Sequence, residues 1–319
     1  MEVDAPQGTL LPGLFDAHAH LAFDAGPDPV GTLTRASEGE LLAIAQAAAV
    51  RALRSGVTTV RDCGGRGDVI HRLKAKLRTE SGPTLRVLAS GRALTTVRGH
   101  CWFLGGEAAD GDALLQRIEE ELERGADLVK IMATGGGITP GTDPTRAQFT
   151  EADLRRAAAR VHLAGRVIGC HAHGTPGIAN AARAGVDIID HCTFLTAEGP
   201  RFDESVAALV AEAGCRVAPV LATLAQPLAS GQLIGNMRAL GLTAREYFEQ
   251  RLEVIRRLRA NGVVLLAGSD AGDIYVLHDA VLTELAMLVR VGLSPEEAIA
   301  AASLEPARVV GLDAELGSI

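Results

Sequence analysis

Aromatic side chains are scarce in this chain: one Trp, two Tyr and seven Phe make up 3% of its 319 residues. Hydrophobic residues still reach 47%, so packing falls mainly to Ala, Val, Leu and Gly. Basic charge is not in excess. A net charge of −8 and a pI near 5.6 argue against nucleic acid or an anionic membrane surface as a partner. No apolar run approaches the length of about 18 residues needed to span a bilayer. The segment Met1-Glu2-Val3-Asp4 lacks the basic and apolar regions of a signal peptide. The five cysteines, Cys63, Cys101, Cys170, Cys192 and Cys215, are odd in number and widely spread, with no Cys-x-x-Cys. That usage reads as reduced thiols in a cytoplasmic protein. Low-complexity linkers and basic tails are also missing, and no Gly-x-Gly-x-x-Gly turn follows the first apolar run, which disfavours an open dinucleotide-binding sheet.

What is present is alternation. Eight β-like runs are expected, at Leu10–His20, Val57–Asp62, Leu85–Ser90, Leu128–Thr134, Val167–His173, Val186–His191, Arg216–Leu221 and Val263–Asp270. Helical stretches lie between them, among them Glu38–Ser55, Asp112–Arg124, Glu151–Ala164, Thr175–Ala184, Asp203–Ala213 and Thr243–Asn261. Gly56, Gly125, Gly185, Gly214 and Gly262 each stand between a helix and a strand, where a left-handed residue closes the helix. Eight parallel βαβ units predict an α/β fold, a (β/α)8 TIM barrel.

In such a barrel the reactive groups sit at the C-terminal ends of the strands. Those positions carry His18, His20, Lys130, His171, His191 and Asp270. His18 and His20 are two residues apart, so a strand turns both to one face, and neutral imidazole suits Zn, Fe, Ni or Cu. Six polar groups converging on one end of an apolar barrel would be costly to bury unpaired, and a shared metal site removes that cost. Lys130 lies in the apolar run Leu128-Val129-Lys130-Ile131-Met132, and Lys74 and Lys76 are the only other lysines among 31 basic residues. An arginine could not substitute where the amine must lose its proton. The neutral amine takes up carbon dioxide to give a carbamate able to bridge two metals; a buried ion pair with Asp62 or Asp270 accounts for the lysine equally well.

The text Leu11-Pro12-Gly13-Leu14-Phe15-Asp16-Ala17-His18-Ala19-His20 resembles the amidohydrolase superfamily. So do Gly56-Val57-Thr58-Thr59-Val60-Arg61-Asp62, Val129-Lys130-Ile131-Met132-Ala133-Thr134-Gly135-Gly136, His171-Ala172-His173-Gly174, Ala184-Gly185-Val186-Asp187-Ile188-Ile189-Asp190-His191 and Gly268-Ser269-Asp270-Ala271-Gly272. Within it, the chain is most similar to the imidazolonepropionase-like and Xaa-Pro dipeptidase-like branch, which includes ochratoxin-hydrolysing amidases. The resemblance implies two divalent metal ions, most often zinc. His18, His20 and Asp270 would hold the more buried ion, His171 and His191 the more exposed one, and N6-carboxylated Lys130 would bridge them. His171 and His173 compete for one role; His171 opens the matching stretch, which leaves His173 to contact substrate. Strand alternation turns Cys170 and Cys192 away from the interior as packing thiols.

The implied activity is that of a metal-dependent hydrolase, an amidase or dipeptidase acting on a small substrate such as an Xaa-Pro dipeptide or N-acyl amino acid. A metal-bridging hydroxide would attack the carbonyl, with Asp270 as general acid and base. The alternatives are a cyclic amidase of imidazolonepropionase type, which resembles a mononuclear site without the lysine, and a non-catalytic truncated barrel. His100, in Arg98-Gly99-His100-Cys101-Trp102, and Tyr275 join His173 as substrate contacts, with His278 also near the pocket and Arg92 or Arg98 as receivers of a carboxylate. The 135–143 loop is placed to close over a ligand. His71 and His162 lie on helical stretches and read as solvent-side. Relatives carry an accessory β-sandwich that is largely missing here: residues 1–9 and 313–319 read as its remnants and 10–312 as the barrel. A surface left uncovered by it favours self-association as a homo-oligomer.

Overall fold

In the computed structural model of the chain, which describes residues 8–233 and 235–319, the apolar runs become ten strands. They are β1 (Leu14–Ala19), β2 (Val57–Asp62), β3 (Arg86–Ala89), β4 (Leu94–Thr96), β5 (Gly106–Ala108), β6 (Leu128–Met132), β7 (Val167–Gly174), β8 (Ile188–Thr196), β9 (Gly199–Pro200) and β10 (Arg216–Ala218). Parallel pairing runs β1-β2-β3 in one sheet and β10-β8-β7-β6-β4-β5 in the other, and only the short β9 is antiparallel, to β8.

The two sheets are parts of one ring. β3 and β4 are successive pieces of one crossing, and the Asp127 N–H donates to Ala89 O at 2.8 Å before β6 takes up β4. The other gap, between β10 and β1, is filled by residues 263–271. Leu266 N–H donates to Val217 O (2.8 Å), Ala17 N–H to Ala267 O (2.8 Å) and His20 N–H to Ala271 O (2.8 Å). Eight staves therefore follow one another round a TIM-type barrel. Every strand among the described residues belongs to this ring or its rim. Residues 1–7 of the expected N-terminal remnant lie outside the described residues.

The eighth stave departs from expectation. Val263–Asp270 is not a regular strand but is held by isolated bridges at Leu265 and Ala271. Gly268 passes so close to β1 that a Cβ there would stand 2.8 Å from His18 Cβ. Asp270 then takes φ +57°, which bends the backbone and aims its carboxylate at the barrel mouth. The first run is shorter than expected, because Leu10–Gly13 stays irregular and Leu10 and Leu11 face solvent.

Alanine replaces aromatics in the outer layer. The helix Glu38–Arg54 buries Leu41, Ala45, Ala48, Ala49 and Ala52 and starts in a Ser37/Glu40 capping box. The same box opens Glu151–Leu163, Ala244–Ala260 and Pro295–Ala301. All five glycines expected to close helices have positive φ, Gly185 at 76° among them. No helix is long and apolar enough to cross a membrane among the described residues.

The barrel interior is ionic. Arg61 on β2 and Asp190 on β8 stand on opposite sides of the ring, and their side chains meet as a buried ion pair. Gly169 on β7 makes room, since a Cβ there would lie 2.7 Å from Arg61 Nη1. The closing stave yields a test. Gly268→Ala should push the stave off His18 and cost about 1–3 kcal/mol, as overpacking does. Denaturant unfolding measures it, and a stability equal to the parent's would mean that β1 yields freely there.

Candidate metal and catalytic site

Asp16 sets up the site by tying β1 to the closing stave. Its carboxylate accepts from the N–H groups of His18 (3.1 Å) and Ser269 (3.0 Å), and burial raises its pKa to about 6. That tie fixes His18 and His20 against Asp270. His18 Nε2 lies 3.3 Å and His20 Nε2 3.4 Å from Asp270 Oδ1. His20 Nδ1–H donates to Gly64 O at 3.0 Å, which fixes the tautomer and leaves Nε2 toward the site. Asp62 in turn holds the loops after β1 and β2, accepting from Leu21 N–H (2.8 Å) and Gly64 N–H (3.0 Å).

Opposite stand three more imidazoles, His171, His173 and His191, each ring 4.6 Å from the other two. His171 Nε2–H donates to Gly135 O (3.1 Å), and His173 Nδ1 lies 2.7 Å from Thr193 Oγ1. Burial, reinforced by mutual repulsion, holds His171 and His191 well below the usual imidazole pKa. His173 falls to about 3 through burial, then through Arg251 and His100. Burial works the same way on His18 and His20 but is outweighed. Cys63, Asp190 and Asp270 raise His18, and the Asp270 hydrogen bond raises His20. Asp270 stays ionised for the converse reason: burial opposes its charge, but His18 and His20 hold its pKa well below the usual range.

Lys130 pairs with neither Asp62 nor Asp270. Its Nζ meets the carboxylate of Asp190, which also takes the Arg61 guanidinium and sits 3.2 Å from His18 Nδ1. The His18 contact is one of charge, without hydrogen-bond alignment. Asp190 thereby joins β2, β6, β8 and β1. It was not expected in the site, although an aspartate inside Ile188-Ile189-Asp190-His191 and an arginine inside Val60-Arg61 are the signal that would have found the pair.

One cavity contains His18, His20, Lys130, His171, His191 and Asp270 together with His100 and His173. The His100 ring lies 4.4 Å from His171, and Gly136 crosses it where a Cβ would sit 2.4 Å from the ring. The rest of the wall is largely apolar: Met132, from the Lys130 motif, and Phe23, Ile138, Leu224, Met237 and Ile274, which came from no motif. Gly137 and Ile138 are the part of the 135–143 loop that reaches it. Tyr275, at φ +60° and 41% exposed, is not among the residues lining the cavity, whereas its neighbours Asp273 and Ile274 are. His278 is buried behind the wall, with Nε2–H donating to His20 O (3.1 Å). Arg92 is held by Glu120 and Glu121, and Arg98 is exposed away from the cavity. His71 is not solvent-side: its Nε2 is buried, 3.7 Å from Glu121 Oε2. His162 is half-exposed and pairs with Asp187 at 2.9 Å. Cys170 and Cys192 are buried with thiol pKa values pushed up by burial. For Cys192 regular alternation is not the reason, because His191 and Cys192 both take positive φ.

The ligand atoms of His18, His20 and Asp270 all lie within 4.8 Å of one another, and so do those of His171, His173 and His191. Imidazoles gathered around an anionic carboxylate suit a divalent ion, which binds in place of their protons. Residues 9–319 match the model of the amidohydrolase family. The chain belongs to that family. This amidohydrolase is 27% identical to ochratoxinase of Aspergillus niger over 337 residues, 96% of the chain and 66% of that protein. It is 28% identical to imidazolonepropionase of Salinispora tropica over 243 residues, 69% of the chain and 56% of that protein. A solved Xaa-Pro dipeptidase with bound methionine superposes at a TM-score of 0.83 with 24% identity, covering 96% of the chain and 77% of that structure, a likeness of fold. Amidohydrolases generally bind divalent metals, and the two donor groups fit that chemistry.

Two substitutions test this geometry. Asp190→Ala strands Arg61 and Lys130 as buried cations, so unfolding free energy should fall by about 3–5 kcal/mol; a loss under 1 kcal/mol would show the three groups are not coupled. Glu284, fully buried on the helix Val281–Arg290, accepts from Ala222 N–H at 2.6 Å and so holds the turn that carries Thr223 and Leu224 of the wall. Burial raises it from 4.5 to about 8, with Asp16 adding to the rise and Arg251 opposing it. The native state keeps this proton to about pH 8 while the unfolded chain sheds it near 4.5, so stability drains as pH rises between the two. Glu284→Gln titrates in neither state. Its melting temperature should therefore gain on the parent's from pH 5 to pH 8, and parallel pH profiles would rule the raised pKa out.

Proposed function

We propose that this amidohydrolase cleaves an amide bond of a small peptide-like substrate, such as an Xaa-Pro dipeptide or N-acyl amino acid, at a binuclear divalent-metal site, with zinc as the ion. The observation that carries the reading is the pair of donor groups, His18/His20/Asp270 and His171/His173/His191, facing one cavity with Lys130 in its wall. His18, His20 and Asp270 would hold one ion and His171 and His191 the other, with His173 left to the substrate. Lys130, as its carbamate, would join them. Carboxylation replaces a buried cation by an anion, and the Arg61 guanidinium remains on Asp190 to balance the change.

When bound, the ions supply Lewis acidity toward the scissile carbonyl and make water more acidic. Asp270, anionic and held by two imidazoles, takes the proton of the attacking water and delivers it to the leaving nitrogen as the C–N bond breaks. His100 and His173 line the same cavity, and in this reading they would orient the substrate carbonyl. All five cysteines are free and buried, which supports a reducing, cytoplasmic setting.

Elemental analysis of protein purified without chelator tests the site. About two equivalents of metal per chain are expected, and Asp270→Asn should lower kcat by about 10²- to 10⁴-fold. One equivalent would favour the mononuclear, cyclic-amide chemistry. No metal, with no uptake from zinc and bicarbonate, would overturn the mechanism.

A further inference from the structure

The cavity wall offers a substrate one acidic side chain that the metal reading leaves unused. Asp273 lines the cavity beside Asp270. Its place is fixed by a tight loop: its N–H donates to Asp270 O (3.1 Å) and its carbonyl accepts from Val276 N–H (2.9 Å). Its Oδ1 accepts from Ile274 N–H at 2.7 Å, and its Oδ2 makes no hydrogen bond to the described residues. Cationic counterparts for a substrate carboxylate are missing from the described wall. Lys130 pairs with Asp190 and as a carbamate would carry no positive charge, Arg92 is held by Glu120 and Glu121, and Arg251, whose Nη2 donates to the carbonyls of His191 and Pro219, does not line the cavity. The remaining wall is largely apolar, with Phe23, Ile138, Leu224, Met237 and Ile274 beside Cys101, Thr223 and Tyr247.

A largely apolar chamber with a single uncommitted carboxyl group complements an ammonium group set on an apolar body. We infer that Asp273 is a specificity residue that receives the free α-ammonium of the substrate, so that the preferred substrates are amides of unblocked, apolar amino acids rather than N-acyl amino acids. The inference rests on the hydrolytic reading above and narrows it.

The test compares paired dipeptides that share one scissile bond, leucyl-proline against N-acetyl-leucyl-proline, on the metal-loaded enzyme. The unblocked member should show kcat/KM higher by about tenfold or more, the scale of one charge-assisted contact. In Asp273→Asn, which keeps an oxygen for Ile274 N–H, that ratio should fall toward one; Asp273→Glu should restore part of it. Binding, measured by calorimetry with L-leucinamide, its N-acetyl form and its N-trimethyl form, reads the same contact without turnover. The trimethylammonium carries the charge but cannot coordinate a metal, so it should bind more tightly than the acetyl form in the parent and lose that advantage in Asp273→Asn. If Asp273→Asn does not fold, the parent's ranking of the three ligands decides. Equal kcat/KM for both peptides, or weak binding of the trimethyl form, would overturn the inference and leave the hydrolytic reading standing. Preferential binding of both cations with no hydrolysis of either peptide would overturn the hydrolytic reading instead.

Discussion

Everything at the mouth of this barrel depends on one buried carboxylate. Asp190 takes Arg61 from the opposite wall and Lys130 from β6, and it lies beside His18 of the first strand. These side chains are almost fully buried, so each charge is tolerable only because the others are there. Direct attraction in such a setting is strong, and the penalty for leaving one member alone is stronger still. Asp190 is therefore a geometric constraint as much as an energetic one: it decides which way His18 faces and where the lysine amine comes to rest.

Above that ionic floor the imidazoles divide by proton affinity. His18 gains it from Cys63, Asp190 and Asp270 and His20 from Asp270, whereas those clustered on β7 and β8 lose it to burial and mutual repulsion. The contrast arises from position alone, since all five are the same residue type. The wall beyond them is supported from outside the ring, as Glu284 shows by reaching from an outer helix to the turn behind Leu224. A chamber built this way owes its polarity to strand ends and its shape to helices and loops.

This division explains what could be read from the chain. Strand ends were legible because a period of two sends His18 and His20, or His171 and His173, to one side, and because glycines with positive φ close the helices before them. Contacts across the ring were not. Asp62 and Asp270 both seemed suitable partners for Lys130, yet Asp62 is consumed by two backbone N–H groups and Asp270 by two imidazoles. Which group lies opposite depends on the stagger of the staves, a property of the closed ring and not of any segment. The loop after Asp270 was no more legible: it turns through positive φ at Tyr275, which is 41% exposed while Asp273 and Ile274 line the cavity. The apolar wall had no motif because Met, Leu and Ile there are indistinguishable in sequence from core.

The stave from 263 to 271 is stitched to its neighbours by scattered hydrogen bonds in place of a continuous ladder. It is the seam of the ring, and it carries Asp270. Short, irregular pairing favours opening at lower free energy than a full ladder, which makes this seam the place where the ring would open first. Such an opening would take Asp270 from the two histidines while the outer helices stay formed. Heating or mild denaturant would then silence the site in a molecule that still looks folded to circular dichroism, and a ligand that spans Asp270 and the histidines would act as the missing stitch.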